Sequence, residues 1–222
     1  TLESVYRAYG DAYGGYDRIN GIKTIVEEVQ IESRGRTMNI THYISYPDKH
    51  RIEVQSDGKK EIYIVNGNHG QSLVNDWLVD VPAEQIADFK ESMKKYALIF
   101  DREQFNPRRE DRTTTFEGID SIDGAQAYKV KMADNGKNDR FLYIDAKTNR
   151  AIKTVSRQFV KFNVYKEAEI YQDSIAKYGP VYAPSLIVAK SKGQTLLVQR
   201  LLRLEIDALI AESMFVIEEK KK

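Results

Sequence analysis

One amphipathic stretch interrupts an otherwise regular run of hairpin signals, and this interruption is the strongest constraint on the fold. Between Ile22 and Asp207 apolar and polar residues alternate, and Asp-Gly, Asn-Gly and similar turn pairs predict antiparallel hairpins. The stretch Pro82–Phe100 instead has the period of a helix. A long antiparallel meander must curl or close to protect its edges, so this helix can bury its apolar stripe only on the concave side or at the mouth of the sheet.

The turn signals delimit about twelve strands, five before the helical stretch and seven after it. We expect strands at about 22–34, 36–46, 49–56, 60–66, 69–75, 113–121, 124–133, 138–146, 150–156, 159–173, 181–191 and 194–207. A short helix is predicted from Leu2 to about Tyr13, where Gly14 and Gly15 end it.

The expected fold class is therefore mainly β with a few helices. It is a curled antiparallel, half-open barrel of about 11–12 strands, with an N-terminal helix and a mid-chain helix covering the concave side. A chain of 222 residues is long enough for one sizeable core, so we expect a single domain over 1–222 with a helical lid at about 82–105.

The predicted mid-chain helix is amphipathic. Its apolar stripe consists of Ile86, Phe89, Met93, Tyr96 and Phe100. Such a stripe requires a partner surface, which is either ordinary core or a cavity that the helix covers. Trp77 precedes the helix, and we expect it to anchor the helix against the sheet or to be buried in the core.

Composition limits the partners that the chain can recognise. Its 34 Lys and Arg residues nearly balance its 33 Asp and Glu residues, which leaves a formal net charge of +1. The net charge is therefore too small to produce an electrostatic field that draws the chain to nucleic acid or to an anionic membrane. No apolar run approaches the roughly 20 residues that a transmembrane helix needs. The sequence begins at Thr1 without a signal-peptide pattern, so we expect a protein that is soluble from the start or already processed.

Residues that usually carry catalysis or hold metals are missing or scattered. The chain has no cysteine, which excludes disulfides, thiol catalysis and thiolate metal sites. His42, His50 and His69 lie on separate predicted strands or turns, so we predict no metal site. Ser92–Lys95 has Ser-x-x-Lys spacing but lacks the companion motifs of acyl enzymes. The sequence therefore predicts a protein that is not an enzyme and has no cofactor.

Several segments, taken in order, resemble one family of bacterial envelope proteins. They are Ala12–Thr24, Pro47–Glu53 with the turn Ser56–Gly58, Glu169–Tyr171 and Tyr178–Pro184. The first is similar to the opening helix and first strand of the outer-membrane lipoprotein-sorting carriers, the Lol carrier superfamily. The second resembles a strand of that superfamily that reads Pro, basic residue, Arg and Glu before an Asp-Gly turn. The last two resemble the region before its two long closing strands.

The resemblance implies a half-open antiparallel barrel with helices plugging its mouth, an apolar cavity for acyl chains or other lipid, and no catalysis. Arg51 matches the strand arginine that can hold the lid in the carriers, so this lid-holding role is carried to Arg51. The implied function is binding or carriage of lipid or of lipoprotein acyl chains by a mature protein in the periplasm or at the outer membrane. The expected ligand-binding residues are Ile86, Phe89, Met93, Tyr96, Phe100, Tyr128, Val130 and Met132.

A second hypothesis stays open. The tyrosine-rich first half and the charged loop Arg102–Arg112 depart from the family pattern, so the fold can be shared while the cargo is not. In this alternative the helix is permanently packed, and the protein is an envelope structural or sensing module that binds a protein partner. An enzyme acting on lipids or glycans comes third, because no nucleophile or acid pair stands out.

Overall fold

The chain divides into two compact units. The first unit contains Thr1–Gly21 and Asp101–Val198, and the second contains Ile22–Phe100 and Gln199–Lys222. The structure is a computed structural model, and it describes residues 1–93, 98–107, 112–134, 138–161 and 164–217. The expectation that residues 1–222 form one domain stays a prediction.

Thirteen strands form one antiparallel sheet, which confirms the predicted fold class. The strands are β1 (Thr24–Ser33), β2 (Arg36–Ser45), β3 (Lys49–Ser56), β4 (Lys59–Asn66), β5 (His69–Val74), β6 (Trp77–Val81), β7 (Arg112–Ile122), β8 (Ala125–Asp134), β9 (Asn138–Asp145), β10 (Ala151–Lys161), β11 (Val164–Tyr178), β12 (Val181–Ser191) and β13 (Gln194–Ile206). They are hydrogen-bonded in the order β6-β5-β4-β3-β2-β1-β13-β12-β11-β10-β9-β8-β7, so β6 and β7 are the two edge strands.

Strand β6 is absent from the sequence prediction. It forms because Asn75 and Asp76 have left-handed φ angles of 51° and 65° and make a two-residue turn. This turn pairs Val74 directly with Trp77. Trp77 is 77% exposed on β6, so the expectation that it anchors the helix or is buried is wrong.

The helices are few and short. They are α1 (Leu2–Ala12), α2 (Tyr16–Asn20) and α3 (Ile86–Met93), with 3₁₀ turns at Ala83–Gln85, Arg102–Phe105 and Glu212–Phe215. The side chain of Thr1 caps α1 by accepting the backbone N–H of Ser4. None of the described helices has the length and hydrophobicity that crossing a bilayer requires.

The mid-chain helix is shorter than the predicted stretch Pro82–Phe100. The 3₁₀ turn Ala83–Gln85 leads into α3, which ends at Met93 as the structure describes it, and residues 94–97 lie outside the described part of the chain. Residues 98–100 are not helical. The reason is that the backbone N–H groups of Ile99 and Phe100 bind a side chain of the sheet instead of helix carbonyls.

In the first unit, the N-terminal helices pack around an aromatic cluster. Tyr9 stacks on Phe105 with ring centroids 4.7 Å apart, and both side chains are at most 2% exposed. The Tyr13 hydroxyl donates to the Gln172 side chain of β11 at 2.8 Å. A Cβ at Gly14 would lie 2.7 Å from a backbone oxygen, so only glycine fits there. The 3₁₀ turn at the end of the predicted lid therefore belongs to the core of the first unit.

Candidate functional site

One face of the second unit's strands is apolar, and the mid-chain helix lies on it; we call it the covered face. The strand register places on this face Ile25, Glu27, Val29, Ile40, His42, Ile44, His50, Ile52, Val54, Tyr63, Val65 and Gly70. Its isoleucine and valine side chains are each at most 6% exposed. The alternation of apolar residues along β1 to β4 produces this face, because successive side chains of a strand point to opposite sides.

Helix α3 touches the covered face at Gly70. A Cβ on Gly70 would lie 2.8 Å from Ile86 Cδ1 and 3.1 Å from Phe89 Cδ1, so these side chains pack directly over the glycine and would have to shift for a larger residue. The Phe89 ring also contacts the Tyr63 ring, with centroids 6.4 Å apart. Ile86 and Phe89 are half-buried, whereas Met93 is only 4% exposed. These contacts are apolar and non-directional.

Glu27 fastens the segment that follows α3. Its side chain is fully buried on the covered face. Its two carboxylate oxygens accept the backbone N–H groups of Ile99 and Phe100, each at 2.8 Å. Hydrogen bonds to a buried carboxylate are strong and directional, and they offset part of the cost of removing the carboxylate from water. Strand β1 therefore fixes the backbone of Ile99 and Phe100 against the sheet.

His42 and His50 form a pair beside Glu27. His42 is the cross-strand partner of Glu27, and its Nδ1 lies 3.1 Å from Nε2 of His50. Burial lowers the pKa of His42 well below its usual range and lowers the pKa of His50 to about 4. Both rings are therefore neutral at neutral pH, and one donates to the other. Among the described residues, no group of three or more His, Asp or Glu side chains is arranged to hold a metal ion.

The opposite face of the same strands holds the C-terminal segment 210–217. Arg51 lies on this face, where its Nη1 donates to the carbonyl oxygen of Met214 at 2.9 Å and its Nη2 pairs with Glu53 at 2.6 Å. Phe215 packs there in a buried cluster with two isoleucines of β4. These contacts of Arg51 fasten the C-terminal segment, and its role in holding the mid-chain helix stays a prediction.

An open groove of about 770 Å³ lies at the β4–β5 turn and the end of β6. Its lining includes Ile64, Asn66, His69, Asp80 and Phe215. The described residues that line it include none of the predicted ligand-binding side chains. An acyl-sized cavity beneath the helix stays a prediction.

The predicted ligand-binding residues are distributed over both units. In the second unit are Ile86, Phe89 and Met93 on α3, followed by Phe100, which is 2% exposed. In the first unit are Tyr128, Val130 and Met132 on β8. Val130 and Met132 are at most 5% exposed, and Tyr128 is half-buried. Tyr96 lies outside the described residues. The roles of all eight in ligand binding stay predictions.

Sequence reasoning missed Glu27 and the histidine pair. The signal was present in the alternation, since Glu27 falls between Ile25 and Val29 on the apolar side of β1. A carboxylate at such a position must find buried donors, and here the donors come from residues about 70 positions later. The histidines lie on different strands, as predicted. The rings of His42 and His50 are nevertheless in contact across neighbouring strands, which the sequence analysis did not predict.

No protein-family model and no curated protein matches the sequence. Solved structures match its fold over nearly the whole chain. A LolA superfamily protein from Nitrosomonas europaea superposes with a TM-score of 0.64 at 8% identity, covering 98% of each chain. An outer membrane lipoprotein-sorting protein domain from Vibrio parahaemolyticus gives 0.60 at 8% identity, covering 97% of each chain. A DUF1329 family protein from Desulfovibrio piger gives 0.58 at 10% identity, again covering 97% of each chain.

At these identities the likeness shows the fold alone. The similarity to the Lol carrier superfamily that the sequence motifs indicate is therefore confirmed as a similarity of fold. Cargo, partners and mechanism require arguments from the residues of this chain.

Proposed function

We propose that this protein binds or carries lipid, or the acyl chains of lipoproteins, in the bacterial cell envelope, in the periplasm or at the outer membrane. It does so without catalysis and without a cofactor or metal. The ligand enters an apolar cavity on the covered face when α3 moves aside. The fold supports this proposal, because it is shared with a LolA superfamily protein and with an outer membrane lipoprotein-sorting protein domain.

The observation that carries the proposal is the way the mid-chain segment is attached. Helix α3 rests on Gly70 through Ile86 and Phe89, which are half-buried and apolar. An acyl chain can replace such contacts, because each methylene group that it buries contributes about 0.8 kcal/mol. The directional bonds of Glu27 hold the end of the segment at Ile99 and Phe100. The helix can therefore lift while its end stays attached to β1.

The proposal assigns roles to the predicted residues. Ile86, Phe89, Met93, Tyr96 and Phe100 form the apolar stripe that the ligand displaces or contacts. On β8 of the first unit, Tyr128, Val130 and Met132 contribute apolar surface to the ligand. Arg51 keeps its lid-holding role only indirectly, because it fastens the C-terminal segment to the face of the sheet opposite α3.

A second candidate function is an envelope structural or sensing module that binds a protein partner while the helix stays packed. The observation that favours it is the depth of burial at the end of the mid-chain segment, where Met93 is 4% and Phe100 is 2% exposed. Burial to this extent is typical of permanent core. The two candidates differ in whether lipid enters the covered face.

Native mass spectrometry of the protein purified from bacterial envelopes, together with titration by a fluorescent fatty acid, separates the two. The carrier proposal predicts bound lipid and an increase in melting temperature when fatty acid is added. Ile86→Ala weakens the attachment of α3 and is expected to raise the affinity for fatty acid several-fold. The matched control is Leu202→Ala on β13, where the side chain is 56% exposed, and it is expected to change nothing. Protein that is always empty and never binds fatty acid contradicts the proposal.

A further inference from the structure

Strand β6 leaves one edge of the sheet open. It pairs on one side with β5, and among the described residues no strand pairs with its other side. A free strand edge presents unpaired backbone N–H and C=O groups, which other chains can use to add a strand. The backbone of β6 is therefore available for pairing.

The turn before β6 determines which backbone groups point outward. Because Asn75 and Asp76 form a two-residue turn, Val74 and Trp77 are the hydrogen-bonded pair that closes the hairpin. Hydrogen-bonded and non-bonded positions alternate along an antiparallel pair. The N–H and C=O groups of Leu78 and Asp80 therefore point away from β5 and can accept a partner strand.

Of the features that usually protect an edge, β6 has a charged side chain, Asp80, but its other side chains are apolar. Trp77 is 77% exposed and Val79 is 52% exposed, and both lie on the covered-face side of the strand. The strand contains no lysine, no proline and no bulge in its pairing with β5. At the other edge, β7 has a register shift between Phe116 and Gly118, which disrupts regular pairing.

Charge indicates the chemistry of the partner. Residues 75–89 contain four acidic side chains and no lysine or arginine. The acidic residues are Asp76, Asp80, Glu84 and Asp88, and all four are exposed. A basic segment complements this surface. A second copy of the chain would offer the edge strand β7, whose Arg112 is outnumbered by Glu117 and Asp120, so self-association brings like charges together.

We propose that the outer edge of β6 binds an extended segment of another protein, which is apolar at alternate positions and carries lysine or arginine between them. The backbone of the segment pairs with Leu78 and Asp80, its apolar side chains pack beside Trp77 and Val79, and its cations lie on the other side of the sheet, beside Asp80. This docking surface goes beyond lipid binding, since it lies on the strand edge and does not require α3 to move.

The test uses the full chain and a synthetic ten-residue peptide of alternating valine and lysine. Trp77 is the single tryptophan, so its fluorescence reports binding at β6 directly. The proposal predicts saturable binding that weakens with salt. It predicts about tenfold weaker binding for a valine–glutamate peptide and for a valine–lysine peptide with N-methylated backbone.

Variants locate the site. Val79→Lys puts a cation on the exposed side of β6 and is expected to weaken binding about tenfold. Ile119→Lys is the matched control on β7, where Ile119 is 63% exposed, and it is expected to leave binding unchanged. Equal binding by Val79→Lys and the parent protein, or equal binding of the lysine, glutamate and N-methylated peptides, overturns the proposal. The proposal is also overturned if the protein self-associates in sedimentation velocity and both variants abolish this self-association. The partner of β6 is then a second copy of the chain.

Discussion

The carboxylate of Glu27 accepts the backbone N–H of Phe100 at 2.8 Å, and through this bond β1 holds the end of the mid-chain segment. Helix α3 itself is attached differently, by the apolar contacts of Ile86 and Phe89 with Gly70. The segment therefore has one directional and one non-directional attachment. The proposed motion of α3 breaks the apolar contacts with Gly70 and keeps the hydrogen bonds to Glu27.

Removal of the Glu27 side chain tests the directional attachment. Glu27→Ala leaves the N–H groups of Ile99 and Phe100 buried without their acceptor, so we expect the free energy of unfolding to fall by about 3–5 kcal/mol. Urea denaturation followed by circular dichroism measures this change. The matched control is Glu28→Ala on the same strand, because Glu28 forms a more exposed ion pair with Arg203 at 2.7 Å. This substitution is expected to lower the free energy of unfolding by at most about 1 kcal/mol. Equal losses for the two variants contradict the role of Glu27.

The contact of Arg51 with the carbonyl oxygen of Met214 predicts a second outcome. Arg51→Ala removes this bond, so we expect proteases to cleave the segment 210–217 several times faster than in the parent protein. Limited proteolysis followed by mass spectrometry measures the rate. Arg203→Ala is the control, since its described partners are Glu28 and Glu205 and not the C-terminal segment. An unchanged cleavage rate in Arg51→Ala contradicts this role.

The buried histidine pair predicts a dependence of stability on pH. Burial lowers the pKa of His50 to about 4, whereas in the unfolded chain it is about 6.5. Below pH 6.5 the unfolded chain therefore binds a proton that the folded chain does not. The stabilisation from the neutral ring is present above pH 6.5 and is lost as the pH falls towards 4. We expect His50 alone to lower the free energy of unfolding by about 1–2 kcal/mol between pH 7 and pH 5.

Denaturation of two histidine variants over the same pH range identifies the group responsible. His50→Gln has no imidazole to titrate at this position, so its stability is expected to change less with pH than that of the parent protein. His69→Gln alters an exposed histidine and is expected to keep the parent's dependence. If His50→Gln keeps it as well, His50 is not the cause.

Much of the fold follows from local sequence signals. The turns that the sequence placed at Asp57-Gly58, Asn66-Gly67 and Asp123-Gly124 each join two strands, because these residues favour the backbone angles that such turns require. Strands β10 and β11 end at Lys161 and Tyr178, five residues beyond their predicted ends. The turn Asn75-Asp76 was missed, and β6 with it, because neither residue is glycine although both adopt positive φ. The length of the helix was overestimated because Leu98–Phe100 continue the apolar pattern, whereas the N–H groups of Ile99 and Phe100 bind Glu27 instead of helix carbonyls.

The site was harder to predict because its contacts join residues far apart in the chain. The apolar stripe of Ile86 and Phe89 is visible in the sequence, but its place on Gly70 is not. Likewise, Arg51 was expected to hold the mid-chain helix, and its contact with Met214 depends on a segment 163 residues later. Periodicity indicates which face of an element is buried; it does not indicate what covers that face.

The most direct test of the proposed carrier function is a covalent lock on α3. The rings of Tyr63 and Phe89 are in contact, and the chain has no cysteine, so Tyr63→Cys with Phe89→Cys provides the only two thiols for a short cross-linker. The control is Glu28→Cys with Arg203→Cys, cross-linked on the opposite face of the sheet. Binding of a fluorescent fatty acid is measured before and after cross-linking. We expect cross-linking of Tyr63→Cys to Phe89→Cys to abolish binding, while the cross-linked control binds normally; equal binding with α3 locked and unlocked would contradict the proposed carrier function.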